Sequence, residues 1–295
     1  MGGLSMDQAF VQAPEHRTKA NLADADGIPV VDLSPLAAGD KAGVDALAAE
    51  VGRASRDWGF FVVVRHGVPA ETVAQALEAQ RAFFALPADR KAAVRRDEAA
   101  PLGYYESEHT KNVRDWKEVF DIVPREPPPP AAVADGELVF ENKWPEDLPG
   151  FRYDLALGVG RHKDAGALTI LYQDDVGGLD VRRRSDGEWV RVRPVPDSYV
   201  INVGDIIQVW SNDRYESAEH RVSVNSEKER FSMPYFFNPG SDAMVEPLEE
   251  MVSDERPARY DAYNWGNFFS TRKNSNFRKL DVENVQIAHF RKDRP

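Results

Sequence analysis

Glu219-His220-Arg221-Val222-Ser223-Val224 and, after a short polar interval, Arg230-Phe231-Ser232-Met233-Pro234-Tyr235-Phe236-Phe237 are two short runs of β type. Their β-branched and aromatic residues fit a pleated, half-buried surface, and neither run shows the three-and-four spacing of an amphipathic helix. Further runs of this kind lie upstream at 155–159, 167–172, 179–183, 188–193 and 199–203. Turn signals such as Gly177-Gly178, Ser185-Asp186-Gly187 and Pro194-Val195-Pro196-Asp197 separate them. Many short strands punctuated in this way predict an antiparallel sandwich or jelly roll. Residues 259–269, rich in Tyr, Trp and Phe, predict a docked helix behind the strands.

The amino-terminal half has a different texture. Ile28-Pro29-Val30-Val31-Asp32-Leu33 predicts a short strand. Over 40–56, Val44, Leu47, Ala48, Val51 and Ala54 recur at helical spacing, and 58–64 is a continuous apolar strand closed by the turn His66-Gly67-Val68-Pro69. Residues 69–86 repeat the helical pattern through Val73, Ala76, Leu77, Phe83 and Phe84, with Gln80 as its polar break, and a shorter charged helix follows over 87–96. The proline run at 127–130 lacks amide donors and predicts an extended loop. The expected organisation is an irregular stretch 1–27, an α-rich region 28–150 and a β-rich catalytic region 151–295 ending in a helix. The fold class is thus α+β, mainly β.

Composition narrows the chemistry. The 295 residues include no Cys, which excludes disulfides, Cys-ligated zinc, iron–sulfur clusters and a thiol nucleophile, so any metal must sit on His, Asp or Glu. A net charge of −12 without a basic tract disfavours nucleic acid and favours a small-molecule partner. No apolar run is long enough for a membrane span, and residues 1–16 lack the apolar core of a secretory signal, so a cytoplasmic location is expected.

Two histidines fall in the β-rich half at positions suited to a metal. His162 and Asp164 are two residues apart, so in an extended segment they point the same way and can grip one ion, and His220 adds an imidazole from another strand. Two imidazoles and one carboxylate on one face leave three coordination positions open, the arrangement of non-haem Fe(II) oxygenases. Arg230 and Ser232 follow on one strand face, a planar fork and a hydroxyl suited to a carboxylate. His66 and His109 lack a carboxylate at ligand spacing and read as structural. Tyr104, Tyr105, Phe236 and Phe237 are aromatic residues that could line a pocket or fill a core.

With these residues the chain resembles the plant-type 2-oxoglutarate- and Fe(II)-dependent dioxygenases, the family of flavonol synthases, anthocyanidin synthases and gibberellin oxidases. The resemblance also rests on Ile28-Pro29-Val30-Val31-Asp32-Leu33, Trp58-Gly59-Phe60-Phe61 with His66-Gly67-Val68, and Gly158-Val159-Gly160-Arg161-His162-Lys163-Asp164. It continues through Asp174-Asp175-Val176-Gly177-Gly178-Leu179, Val200-Ile201-Asn202-Val203-Gly204-Asp205 and Trp210-Ser211-Asn212. A branch carrying Glu108-His109-Thr110-Lys111-Asn112-Val113-Arg114-Asp115-Trp116-Lys117-Glu118 is the most similar. The resemblance implies a distorted double-stranded β-helix with an α-rich amino-terminal portion. It implies Fe(II) on His162, Asp164 and His220, 2-oxoglutarate on Arg230 and Ser232, O2 as oxidant and ascorbate as reductant. It places Tyr104, Phe236 and Asn238 near a small, partly apolar substrate of specialised metabolism, such as a flavonoid or hormone, which is hydroxylated or desaturated.

The chain departs from that family at one place. Trp144-Pro145 through Phe151-Arg152 runs almost directly into Tyr153-Asp154-Leu155-Ala156, where the family has a long helical segment and a core strand carrying Asn-x-Tyr-Pro-Pro-Cys-Pro. Losing that strand is expected to expose a sheet edge, to invite association between copies and to remove an Asn and a Tyr from the cosubstrate pocket. The alternative function that follows is a shortened, catalytically impaired isoform that keeps the metal triad but binds cosubstrate poorly.

Overall fold

The computed structural model describes residues 23–24, 27–97, 100–106, 109–110, 113–123, 142–146, 148, 162–223, 227–275 and 285–292. Its framework is a pair of facing sheets. The larger has the order Ser232–Phe237, Leu168–Gln173, Ser198–Val203, Phe60–Val64 and Val30–Asp32, antiparallel except for the last pair. The smaller has the order Ala23–Asp24, Trp189–Arg191, Leu179–Arg182 and His220–Val222.

The period-two geometry of a strand sorts the large sheet's side chains onto two buried faces. Phe60, Val62 and Val200 turn inward to meet Leu179, Val181, Val192 and Val222 from the small-sheet side. Their neighbours Phe61, Val63 and Ile201 turn outward and are covered by Leu47, Val51 and Ala54. Those last three lie on the helix Lys41–Asp57, whose first turn is capped by Asp40 accepting from the amides of Ala42 and Gly43. Burial on both faces explains why 58–64 reads as a continuous apolar run rather than an alternating one. The helix Ala70–Phe84 supplies Phe83 to a separate core with Val94, Tyr104 and Phe120. The result is the expected jelly roll.

Several elements differ from the sequence expectation. The helix expected over 259–269 instead spans Trp265–Ser275, because tertiary hydrogen bonds hold the chain before it in an extended form. Asn212 Oδ1 accepts from the Arg259 amide at 3.0 Å, the Tyr260 hydroxyl donates to Asp213 Oδ1 at 2.6 Å, and Tyr263–Asn264 pairs with Met244–Val245. The second is an unforeseen six-residue helix, Asp205–Trp210, directly after the strand Ser198–Val203. Its Ile206 and Val209 enter a carboxy-terminal core with Tyr260, Trp265 and Phe268. The charged helix expected over 87–96 is limited to Ala88–Ala92. The expected strand 155–159, the proline run and the junction at 152–153 lie outside the described residues.

Among the described residues, the strand Ser232–Phe237 stands at the edge of the large sheet. Its odd-numbered residues face the neighbouring strand, as the bonds from the Asp174 amide to Phe231 O and from the Ala167 amide to Phe237 O show. The even-numbered residues face away. Of these, Ser232 O accepts from the buried side-chain amide of Gln80 at 3.1 Å, and Pro234 has no N–H to leave unpaired. A side chain and a proline thus blunt the edge, two devices that sheets use against pairing with another chain.

Asn212 carries much of the turn that follows the helix Asp205–Trp210. It is buried, sits at φ 51°, donates to Met251 O and Pro257 O at 3.3 and 3.0 Å, and accepts from Arg259. Asn212→Ala adds left-handed backbone strain and leaves buried polar groups unpaired, so a loss of about 2–4 kcal/mol is expected from the urea midpoint at unchanged m. A loss below about 1 kcal/mol would show that the turn holds without this side chain.

Candidate active site

His162 and His220 are direct cross-strand partners. The His162 amide donates to His220 O at 2.8 Å and the His220 amide returns the bond to His162 O at 3.0 Å. Opposed residues of an antiparallel pair project their side chains to the same face, and the two imidazoles lie with centroids 4.3 Å apart. Asp164 reaches the same point from the segment leaving His162. Its Oδ1 is 3.0 Å from His162 Nε2 and 3.7 Å from His220 Nε2, and one ligand atom from each of the three residues falls within 4.8 Å of the others.

The protonation states suit a cation. His220 Nδ1 faces the carbonyl of Ala218 at 3.2 Å, and since a carbonyl only accepts, Nδ1 carries the proton and Nε2 keeps its lone pair toward the centre. Burial, then the neighbouring His162, brings the His220 pKa down to about 4, so this imidazole is neutral at pH 7. Burial pushes the Asp164 carboxyl up, but His220 and His162 more than offset it and hold the group well below the usual carboxylate range. A buried anion and neutral imidazole nitrogen are donors of the types that a divalent transition metal takes.

A second constellation opens on the same cavity. Arg230 Nη1 donates to Ser232 Oγ at 2.9 Å and Nη2 to Gln173 Oε1 at 3.3 Å, while its buried Nε has no partner among the described residues. Burial pushes the guanidinium pKa down and Asp174 opposes it. A buried cation with hydrogen-bonding capacity left over is costly unless an anion completes it, which fits an acid-binding site. Gln173 was not evident in the sequence, because only the strand register sets it opposite Ser232. Phe60, Leu171, Leu179, Val222, Pro234 and Phe236 give the cavity its apolar wall.

The remaining candidates are distributed more widely. Phe236 lines the cavity, whereas the exposed Asn238 lies against Gly166 and is not part of the lining. Tyr104 is in the separate core beside Phe83 and Phe120, its hydroxyl donating to Glu118 Oε1 at 2.5 Å, and it does not line the cavity. Tyr105 bonds Asp121 at 3.3 Å beneath the guanidinium of Arg96, and Phe237 faces solvent. His66 packs edge-on against Tyr199 and is likewise not in the lining. His109 opens the short strand His109–Thr110.

Comparison with known proteins gives the site its setting. The profile of the 2OG-Fe(II) oxygenase superfamily matches residues 141–239, and that of the non-haem dioxygenase in morphine synthesis N-terminal region matches 28–147. Jasmonate-induced oxygenase 2 of Arabidopsis thaliana is 34% identical across 82% of this chain and 78% of its own length. Feruloyl CoA ortho-hydroxylase F6H1-1 of Ipomoea batatas is 33% identical across 88% and 84%. The alignment to the first runs over 292 positions yet takes in 82% of these 295 residues, so that relative has residues within the matched stretch with no counterpart here. The crystal structure of JOX2 in complex with 2OG, Fe and JA superposes with a TM-score of 0.72 at 29% identity, over 90% of this chain and 88% of that one. A putative 2OG-Fe(II) oxygenase family protein from Caulobacter crescentus shares the fold, with a TM-score of 0.70 at 23% identity over 83% and 98%. Two profiles that together span residues 28–239, and relatives above 30% identity along four-fifths of the chain, show that the protein belongs to the 2-oxoglutarate- and Fe(II)-dependent oxygenase superfamily, as a dioxygenase using Fe(II), 2-oxoglutarate and O2.

Proposed function

We propose that His162, Asp164 and His220 hold the Fe(II), that Arg230 and Ser232 take the distal carboxylate of 2-oxoglutarate, and that the enzyme hydroxylates or desaturates a small, partly apolar metabolite. The observation that carries this reading is the convergence on one cavity of a three-residue donor set and a buried arginine with bonding capacity to spare. Metal and cosubstrate together supply the oxidising chemistry when bound. The chain's own part is positional: His220 presents Nε2 because Ala218 holds Nδ1, and Arg230 presents its fork because Ser232 and Gln173 hold it. The wall from Phe60 to Phe236 excludes water and favours an apolar substrate surface.

The substrate class rests on that wall and on the relatives, one named for feruloyl-CoA hydroxylation and another crystallised with JA. Succinate release across a panel of jasmonate-type acids, feruloyl-CoA and flavonoids tests it, and stimulation by none of them would reject the class. No helix among the described residues is long and apolar enough to cross a membrane. A cytosolic location and association of two copies through the exposed aromatic surface of Tyr235 and Phe237, on the strand whose backbone edge is blunted, belong to the same proposal. A second reading, weak cosubstrate binding in a shortened chain, is favoured by the edge position, among the described residues, of the strand that carries Ser232.

His220→Ala removes one of three ligands, and the remaining two compete poorly with water, so anaerobic titration is expected to show loss of stoichiometric Fe(II) binding and of turnover. Undiminished stoichiometry would reject the triad. Arg230→Lys keeps the charge and loses the fork, so 2-oxoglutarate affinity is expected to fall by about 1.5–3 kcal/mol with iron retained. Equal affinity in parent and variant would remove Arg230 from the clamp.

A further inference from the structure

The carboxylate of Asp164 has two oxygens with different surroundings. Oδ1 faces His162 and His220, as described above. Oδ2 turns away from them and accepts two hydrogen bonds, one from Asn202 Nδ2 at 2.7 Å and one from the Thr169 hydroxyl. Both donors are buried, at 2% and 4% exposure, and they are register partners on adjacent strands of the large sheet. They therefore act from one rigid cross-strand position on one face. A carboxylate oxygen has two lone-pair directions, and two donors use both.

The main chain at Asp164 is fixed as well. Asp164 O accepts from the Asp205 amide at 2.7 Å, and Gly166 O accepts from the Ile206 amide at 3.1 Å. Gly204 passes so close that a Cβ there would lie 2.2 Å from Gly166 O and 3.1 Å from Asp164 O. With the backbone anchored, rotation about the side-chain torsions is the freedom left to the carboxylate, and Asn202 and Thr169 remove it.

We propose that Asn202 and Thr169 are positioning residues that hold Asp164 with Oδ1 alone toward the metal, so that the three protein ligands fill three coordination positions and not four. This inference rests on the triad holding the metal. A carboxylate free to swing could bind through both oxygens, and the position it took would be lost to a two-point cosubstrate and O2 together. The pair thereby sets the number of open positions without touching the ion.

Mn(II), which is stable in air, is the probe. Water-proton relaxation enhancement at saturating Mn(II) counts the exchangeable waters on the bound ion, and melting temperature of the metal-free protein reports folding. Thr169→Val and Asn202→Ala are expected to melt near the parent and to lower the enhancement per bound ion by about a third, from three open positions to two. Thr169→Ser keeps the hydroxyl and is expected to match the parent. Enhancement equal to the parent in both Thr169→Val and Asn202→Ala would overturn the proposal. So would a fall of equal size in Thr169→Ser, or complete loss of Mn(II) from variants that still fold. A parent protein that binds Mn(II) equally with and without His220→Ala would instead overturn the triad assignment.

Discussion

The carboxylate of Asp164 is the point on which the other parts of the site depend. An ionised group buried to this degree is tolerated only when its surroundings replace water as a source of hydrogen bonds and positive potential. Here the replacement comes from several separate segments: His162 on the same segment, His220 across a two-bond bridge, and Asn202 and Thr169 from neighbouring strands of the large sheet. His220 from the small sheet and the Asn202–Thr169 pair from the large one meet at Asp164 only when the two sheets have closed over each other. The site is therefore a consequence of the sandwich as a whole, and its precision is that of sheet register.

The supporting layers extend this dependence outward. The turn Gly204–Asp205 anchors the Asp164 main chain, and Asp205 is itself buried and paired with Arg272 at 3.3 Å. Arg272 belongs to the helix Trp265–Ser275, which packs its aromatic residues on Ile206 and Val209. The carboxy-terminal core thus braces the turn that braces Asp164. On the other side, Gln80 of the helix Ala70–Phe84 reaches the carbonyl of Ser232, so the amino-terminal helices tie directly into the strand that bears Ser232. The polar break that interrupts the apolar stripe of that helix has this tertiary partner.

The same contact bears on the segment expected to be missing near residue 152. A relative has residues within the matched stretch that have no counterpart in this chain, and a missing core strand is expected to leave an edge. The edge is present among the described residues at Ser232–Phe237, yet its outward groups are reduced by Gln80 and Pro234, while Tyr235, Phe236 and Phe237 keep exposed aromatic surface. The backbone cost of the edge is thereby lowered locally, and the apolar cost is not.

By itself the sequence determined the strand-rich architecture, the amphipathic helix over 40–56, the ligand candidates His162, Asp164 and His220, and the paired Arg230 and Ser232. These are legible because spacing of two or of three and four, turn residues and side-chain chemistry are local properties. Tertiary structure decided what depends on which strand lies beside which. It set His162 opposite His220, Thr169 opposite Asn202 and Gln173 beside Arg230, and it held 259–264 extended where composition favours a helix. It also sent Tyr104 to a separate core and Phe236 to the cavity, although both are aromatic residues in β-type segments. Register and layer packing are relations between residues far apart in the chain, so only closure of the sheets fixes them.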